Sequence, residues 1–210
     1  MNSLNGLYAI TDARLIPDAQ FATRIELALK GGARIIQYRD KSNDHIKRTL
    51  QATILKQLCD QYQALCIIND DIDLALEIKA HGLHIGRDDG ELSVIRQRLG
   101  EDKIIGVSCY NQLALAQVAE QQGADYVAFG SFFSSPTKPD APAASLDLLT
   151  QARTQINIPI CAIGGITLNN AAQLLEAGVD MLAVISDVFG HEDVFSASES
   201  FKTLIEKHKV

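Results

Sequence analysis

The chain has 210 residues, 47% of them hydrophobic and 21% charged, a formal net charge of −7 and four cysteines. That size and composition suit one well-buried globular domain, and the acidic balance argues against nucleic-acid or anionic-membrane partners. No apolar run is long enough to span a bilayer, and Cys59, Cys66, Cys109 and Cys161, none in a C-x-x-C pair, suit reduced, buried thiols rather than zinc ligands.

Eight short apolar runs follow one another at 6–12, 33–41, 64–70, 82–86, 103–108, 125–130, 159–165 and 181–186. Most carry Val, Ile, Leu and Ala on both faces, as parallel strands covered on both sides do. Helical patterns separate them. After the first run, Phe21, Ile25, Ala28 and Leu29 share one face, and Gly31-Gly32 ends the helix. Ile46, Leu50, Ile54 and Leu58 recur every four residues and predict a second amphipathic helix buried along that stripe. Short helices are expected at 74–79 and 92–99, and an Ala-rich one at 113–122 closed by Gly123. Further helices are expected at 145–155 and, with Thr167 as N-cap, at 168–177. A last helix at about 194–207 would pack through Phe195, Phe201, Leu204 and Ile205.

The rhythm reads as an α/β fold, a (β/α)8 TIM barrel, with residues 1–210 forming a single domain. A doubly wound open sheet is the rival. It would have fewer strands and often a Gly-rich turn after the first, where this chain has Ala9-Ile10-Thr11-Asp12. The N-terminus lacks the basic region and apolar core of a secretion signal, so a cytoplasmic protein is expected. The sequence leaves homo-oligomer formation open.

In a barrel the site lies at the carboxyl ends of the strands. In the second run Gln37, Arg39 and Lys41 alternate, so an amide, a guanidinium and an ammonium would converge at the mouth and favour a polyanion such as a diphosphate. The alternative is that Arg39 and Lys41 merely pair with Asp40 and Asp12. Asn69-Asp70 ends the third run and Asp88-Asp89 follows the fourth. Carboxylates from neighbouring strand ends can share Mg²⁺; alternatively Asp70 caps the next helix. His84 is expected to be a packed, hydrogen-bonded core residue, and Ser108 to hydrogen-bond a ligand oxygen. The loop at 131–144 holds Ser134, Ser135, Thr137 and Lys138 among three prolines, and could close over a phosphorylated ligand. Gly164-Gly165 after the seventh run and Ile185-Ser186 after the eighth occupy the places where barrels cradle phosphate on backbone N–H groups.

Leu7-Tyr8-Ala9-Ile10-Thr11-Asp12, Gln37-Tyr38-Arg39-Asp40-Lys41, Ile67-Ile68-Asn69-Asp70, Gly82-Leu83-His84-Ile85-Gly86 with Asp89, Gly106-Val107-Ser108, Pro136-Thr137-Lys138 and Ala162-Ile163-Gly164-Gly165-Ile166-Thr167 occur in order. With these motifs the chain resembles the thiamine-phosphate synthase family over essentially its full length. The resemblance implies a transferase that joins hydroxymethylpyrimidine diphosphate to thiazole phosphate with Mg²⁺, releasing pyrophosphate by a dissociative route. It implies that Gln37, Tyr38, Arg39, Asp40, Lys41, Asn69, Ser108 and Lys138 bind the pyrimidine diphosphate. Arg39, Lys41, Ser108 and Lys138 would be the catalytic members of that set. Asp70 and Asp89 would hold Mg²⁺, and Ser135, Pro136, Thr137, Gly165, Ile185 and Ser186 the thiazole phosphate. The chain departs from the commonest family pattern at Tyr38, at Arg87-Asp88, at Cys109-Tyr110 and across Gly130–Ser135, none of which removes a metal ligand or cation. The competing functions are a thiazole tautomerase-like barrel and a non-catalytic thiamine-phosphate binding protein.

Overall fold

The computed structural model describes residues 4–86, 89–134 and 143–208. Eight parallel strands close into a barrel in sequential order. They are Gly6–Ile10 (β1), Ile35–Tyr38 (β2), Leu65–Asn69 (β3), Gly82–Ile85 (β4), Ile104–Tyr110 (β5), Tyr126–Phe129 (β6), Ile160–Ile163 (β7) and Met181–Val184 (β8). Between them run the helices Phe21–Lys30 (α1), His45–Gln61 (α2), Ile72–Glu77 (α3), Leu92–Leu99 (α4), Leu113–Gln121 (α5), Leu146–Gln155 (α6) and Ala171–Glu176 (α7). Ser186–Phe189 (α8) and Val194–His208 (α9) complete the chain. The fold is a (β/α)8 TIM barrel, and no helix among the described residues is long and apolar enough to cross a membrane.

The period-two alternation of each strand sorts its side chains into two cores. Facing inwards, Tyr8, Ile10, Ile35, Leu65, Ile67, Tyr126, Ala128, Cys161, Met181 and Ala183 fill the barrel. Facing outwards, Leu7, Ala9, Ile36, Tyr38, Ile68, Leu83 and their equivalents pack against the helices. All four cysteines are buried and free. The interior accommodates two tyrosines because its neighbours are small. A Cβ on Gly106 would lie 1.9 Å from Cζ of Tyr126, inside the ring's own volume.

Three helical expectations need correction. The fully buried face of α2 is Gln51, Ala52, Leu55 and Cys59; of the expected stripe, Ile54 and Leu58 pack against the core and Ile46 and Leu50 do not. Ile46 is 82% and Leu50 60% exposed. A strict spacing of four drifts about 40° per step around a helix of 3.6 residues per turn, whereas a buried face mixes spacings of three and four. α7 begins at Ala171 rather than 168, because a turn intervenes in which the N–H groups of Asn170 and Ala171 both donate to the carbonyl of Thr167. In α9 Phe201, Ile205 and, partly buried, Leu204 pack on the core as expected, but Val194, Ala197 and Ser198 complete the buried face in place of Phe195.

Gly106→Ala should therefore destabilise the protein by about 1–3 kcal/mol through overpacking against Tyr126, read as a lowered urea midpoint. An unchanged midpoint would contradict the packing of the barrel interior described here.

Candidate active site

All eight strands run parallel, so their carboxyl ends form one rim. Gln37 points inwards below that rim, 3% exposed, with its Nε2 donating to the Tyr8 hydroxyl at 2.8 Å. Two residues on, Arg39 is held by its backbone: its N–H donates to Thr11 Oγ1 at 2.8 Å, and Thr11 Oγ1 donates back to the Arg39 carbonyl at 3.3 Å. The Asp12 carboxylate beside it is bound by Arg14 through Nε at 3.0 Å and Nη2 at 2.7 Å. The hydrogen bonds from Arg14, helped by the charges of Arg14 and Arg39, outweigh burial and hold Asp12 below the usual carboxylate range.

Lys41 donates its ammonium to Oδ2 of Asp70. Asn69 Nδ2 donates to the same oxygen at 2.6 Å. Asp89, after β4, accepts from the Gly86 N–H at 2.6 Å and interacts directly with Asp70. Among the described residues neither Arg39 nor Lys41 makes a direct ion pair with Asp12 or Asp40: Arg14 takes Asp12, and Lys47 lies 3.4 Å from Asp40. Nor does Asp70 cap α3. Asp71 does so, accepting from the Leu74 N–H at 3.0 Å, and it also binds Arg48 at 2.6 Å. Asp70, at φ 63°, is thereby left at the rim.

The two carboxyls titrate as a pair. Burial pushes Asp89 up, and the neighbouring Asp70 carboxylate adds to this against the Gly86 N–H. For Asp70 burial acts the same way, but the hydrogen bonds from Lys41 and Asp89 outweigh it and hold its carboxyl below the ordinary value. Two carboxyls that share one proton at close range form an oxygen donor set that a hard divalent cation can occupy, and Mg²⁺ characteristically takes one or two protein carboxylates. Among the described residues no three His, Cys, Asp or Glu side chains converge. The pair therefore suits a cation that keeps most of its ligands from water and phosphate, and Asp70 and Asp89 fit Mg²⁺ in kind and number.

Ser108, on β5, accepts or donates at 2.8 Å to Nε2 of His84, whose Nδ1 lies 2.8 Å from the Tyr126 hydroxyl. His84 is buried and hydrogen-bonded as expected of a core residue. Across the rim, Gly165 has φ 62°, and a Cβ there would stand 2.4 Å from the Ser134 carbonyl oxygen, so only glycine fits. The start of the loop after β6 docks on this turn. Phe132 N–H donates to Ile163 O at 3.2 Å and Phe133 N–H to Gly164 O at 3.0 Å. β8 stops at Val184, and Ser186 opens α8 rather than ending the strand. The Leu168 N–H donates to Asp187 Oδ2 at 2.8 Å, tying the Gly-Gly loop to α8 beside Ile185 and Ser186.

Two expected ligand contacts are not brought to the mouth. Tyr38 points out among the helices, edge-on to Phe21, with its hydroxyl donating to Gln51 Oε1 at 3.1 Å. Asp40 accepts from the Ser42 N–H at 2.7 Å and faces Lys47. The alternation of β2 that turns Gln37 inwards turns Tyr38 out; the strand ends there, and Asp40 is held by Ser42 in the loop that follows. Ser135, Pro136, Thr137 and Lys138 lie outside the described residues. Sequence reasoning missed Thr11, Arg14, Tyr8 and Tyr126. The tyrosines sit in apolar runs and read there as packing residues.

A parallel barrel with cationic, acidic and Gly-rich strand ends on one rim defines a (β/α)8-barrel enzyme. Residues 7–188 match the model of the family described as thiamine monophosphate synthase. The thiamine-phosphate synthase of Acidithiobacillus ferrooxidans is 52% identical over 209 residues, covering 98% of this chain and 96% of the relative. That of Nitrosococcus oceani is 51% identical over 201 residues, 96% of this chain and 93% of the relative. The solved structure of a thiamine phosphate pyrophosphorylase from Pyrococcus furiosus superposes with a TM-score of 0.89 at 38% identity, covering 98% of this chain and 97% of that one. The chain belongs to the thiamine monophosphate synthase family.

The shared proton gives a test without substrate. Asp89, raised, contributes stability that is full below the unfolded carboxyl value of about 3.9 and lost as pH rises through its folded value. Asp70, lowered, contributes with the opposite sign: stability present above that value and lost as pH falls through its folded value. In the cation-free protein at pH 8, Asp89→Asn should therefore melt slightly higher than wild type, by a few tenths of a kcal/mol after solvent screening. At pH 3.5 the gain should vanish. A variant that melts lower at pH 8 and equal at pH 3.5 would mean that the two carboxyls do not repel.

Proposed function

We propose that this protein is a thiamine-phosphate synthase that condenses hydroxymethylpyrimidine diphosphate with thiazole phosphate, giving thiamine phosphate and pyrophosphate. The observation that carries the reading is the cluster of Lys41, Asn69, Asp70 and Asp89 on the rim, two residues along the chain from Arg39. A cation-rich corner that also offers two carboxylates for a divalent ion is what a diphosphate leaving group needs. Family membership supports the same activity.

In this reading Gln37, Arg39, Lys41, Asn69, Ser108 and Lys138 hold the pyrimidine diphosphate. Asp70 and Asp89 hold Mg²⁺, which when bound neutralises charge on the diphosphate oxygens. Gly165, Ile185 and Ser186, with Ser135, Pro136 and Thr137, hold the thiazole phosphate. The carbon–oxygen bond to pyrophosphate breaks first, and its electron pair leaves with the pyrophosphate. Arg39, Lys41 and Lys138 offset the charge that develops there, Lys41 turning from Asp70 to the substrate. The ring nitrogen of the thiazole then gives its lone pair to the exposed methylene carbon and becomes the positive nitrogen of thiamine phosphate. No side chain forms a bond to substrate, and no proton needs removing, so the protein supplies charge and placement. Small molecules are the partners; nothing in the acidic composition favours nucleic acid or membrane, and a cytoplasmic location agrees with the free, buried thiols.

Pyrophosphate release, with the product identified by mass, tests this. Multiple turnovers should require both substrates and Mg²⁺, and omission of any one should stop them. A folded protein that turns over neither substrate would overturn the reading. Lys41→Ala should lower kcat/KM by about 100-fold or more, the scale of losing one charge-stabilising group, and Asp89→Ala should abolish the response to Mg²⁺. Full activity in either variant would remove that residue from the site.

A further inference from the structure

Below the rim, five side chains from five strands form one continuous hydrogen-bonded chain across the barrel. Gln37 (β2) donates Nε2 to the Tyr8 (β1) hydroxyl at 2.8 Å, and the Tyr8 and Tyr126 (β6) hydroxyls are 2.8 Å apart. The Tyr126 hydroxyl is 2.8 Å from Nδ1 of His84 (β4), and Nε2 of His84 is 2.8 Å from Oγ of Ser108 (β5). The middle is rigid: the His84 and Tyr126 rings stack with centroids 5.6 Å apart, and Tyr8 meets Tyr126 edge-on at 6.0 Å. Only the two ends, Gln37 and Ser108, belong to the site proposed above.

With the Gln37 amide donating to Tyr8, counting protons sets the direction of the rest of this chain. Both phenols are fully buried, and burial holds their protons on, so each brings one donor. Gln37 gives a proton to Tyr8, so Tyr8 must give its own to Tyr126, and Tyr126 its own to His84 Nδ1. A neutral His84 ring then carries its proton on Nε2 and donates it to Ser108. The Ser108 hydroxyl proton is left for the mouth, and at the other end Gln37 Oε1 accepts nothing among the described residues. The reverse direction would flip the Gln37 amide, move the ring proton to Nδ1 and turn Ser108 into an acceptor. A mixture would bury a pair of phenols with two protons between them or none, so the chain switches as a whole.

We propose that Tyr8, Tyr126 and His84 are positioning residues whose hydrogen-bonded chain locks Gln37 as an acceptor and Ser108 as a donor towards the pyrimidine diphosphate half of the site. The proposal rests on the function proposed above for that half. A ligand that offers a donor to Gln37 and an acceptor to Ser108 is matched, and one presenting the reverse pattern leaves both ends unpaired.

The direction is read without substrate, from ¹⁵N chemical shifts of the His84 ring in the whole protein. The expected pattern is a protonated Nε2 and a bare Nδ1, with the preference lost in Tyr126→Phe. A proton on Nδ1 in the wild type overturns the proposal. Kinetics test the consequence. Tyr126→Phe and Tyr8→Phe, which keep their rings, should each raise KM for hydroxymethylpyrimidine diphosphate at least tenfold and leave KM for thiazole phosphate within twofold. The double variant should be within twofold of the worse single one, because a chain already cut loses little from a second cut. Unchanged KM values, equal effects on both substrates or multiplied effects in the double variant would each mean a merely structural role and overturn it. If the wild type makes no thiamine phosphate, the synthase reading fails, while the histidine shifts still decide the direction of the chain.

Discussion

Closing eight parallel strands into a barrel is the constraint on which everything else depends. Closure leaves no sheet edge, delivers every strand's carboxyl end to one rim, and creates an interior that side chains must fill. This chain fills it unevenly. Aliphatic residues take most of the space, while Gly106 makes room for the polar-tipped ring of Tyr126 on the neighbouring strand. The hydroxyls of Tyr8 and Tyr126 are buried and have to be paired. The pairing links β1, β2, β4, β5 and β6 in one network directly beneath the mouth.

On the rim the same economy governs charge. The protein carries a net charge of −7, yet among the described residues it leaves Arg39 out of any ion pair and Lys41 paired with Asp70. It does so because other cations occupy the nearby carboxylates: Arg14 on Asp12, Lys47 beside Asp40 and Arg48 on Asp71. Asp71 does the helix capping that the sequence would equally assign to Asp70. Asp70 is thus left facing Asp89 and Lys41, and Thr11 fixes the backbone of Arg39 from the neighbouring strand. Opposite, the glycines after β7 admit the loop after β6 so closely that any side chain at Gly165 would collide with it. The rim is therefore divided into an ionic corner and a backbone-lined one.

Much of this was legible in the sequence, and the reasons differ by element. Strands buried on both faces write themselves as continuous apolar runs, so all eight are readable, although the runs extend past the strand ends into polar rim residues, as at Asp12, Lys41 and Asp70. α2 is legible, but only half of its stripe is: Ile54 and Leu58 pack on the core, whereas Ile46 and Leu50 stay in solvent while Gln51 and Ala52 go under. The motif assigns Tyr38 and Asp40 to the ligand, but strand alternation points Tyr38 at the helices, and Asp40 turns to Ser42 and Lys47. The polar chain through Tyr8 and Tyr126 could not be read, since an aromatic residue in an apolar run looks the same whether or not its hydroxyl has a partner. Only the closed barrel brings residues 118 positions apart to within a hydrogen bond.

The central claim is that the ionic corner takes the diphosphate and the Gly-Gly corner the monophosphate. A crystal structure grown with pyrophosphate and Mg²⁺ tests it most directly. The account predicts pyrophosphate against Arg39 and Lys41, with the cation between it and the carboxylates of Asp70 and Asp89, and Lys41 drawn away from Asp70. Pyrophosphate found on Gly165 and Ser186, with Lys41 still on Asp70, would contradict it.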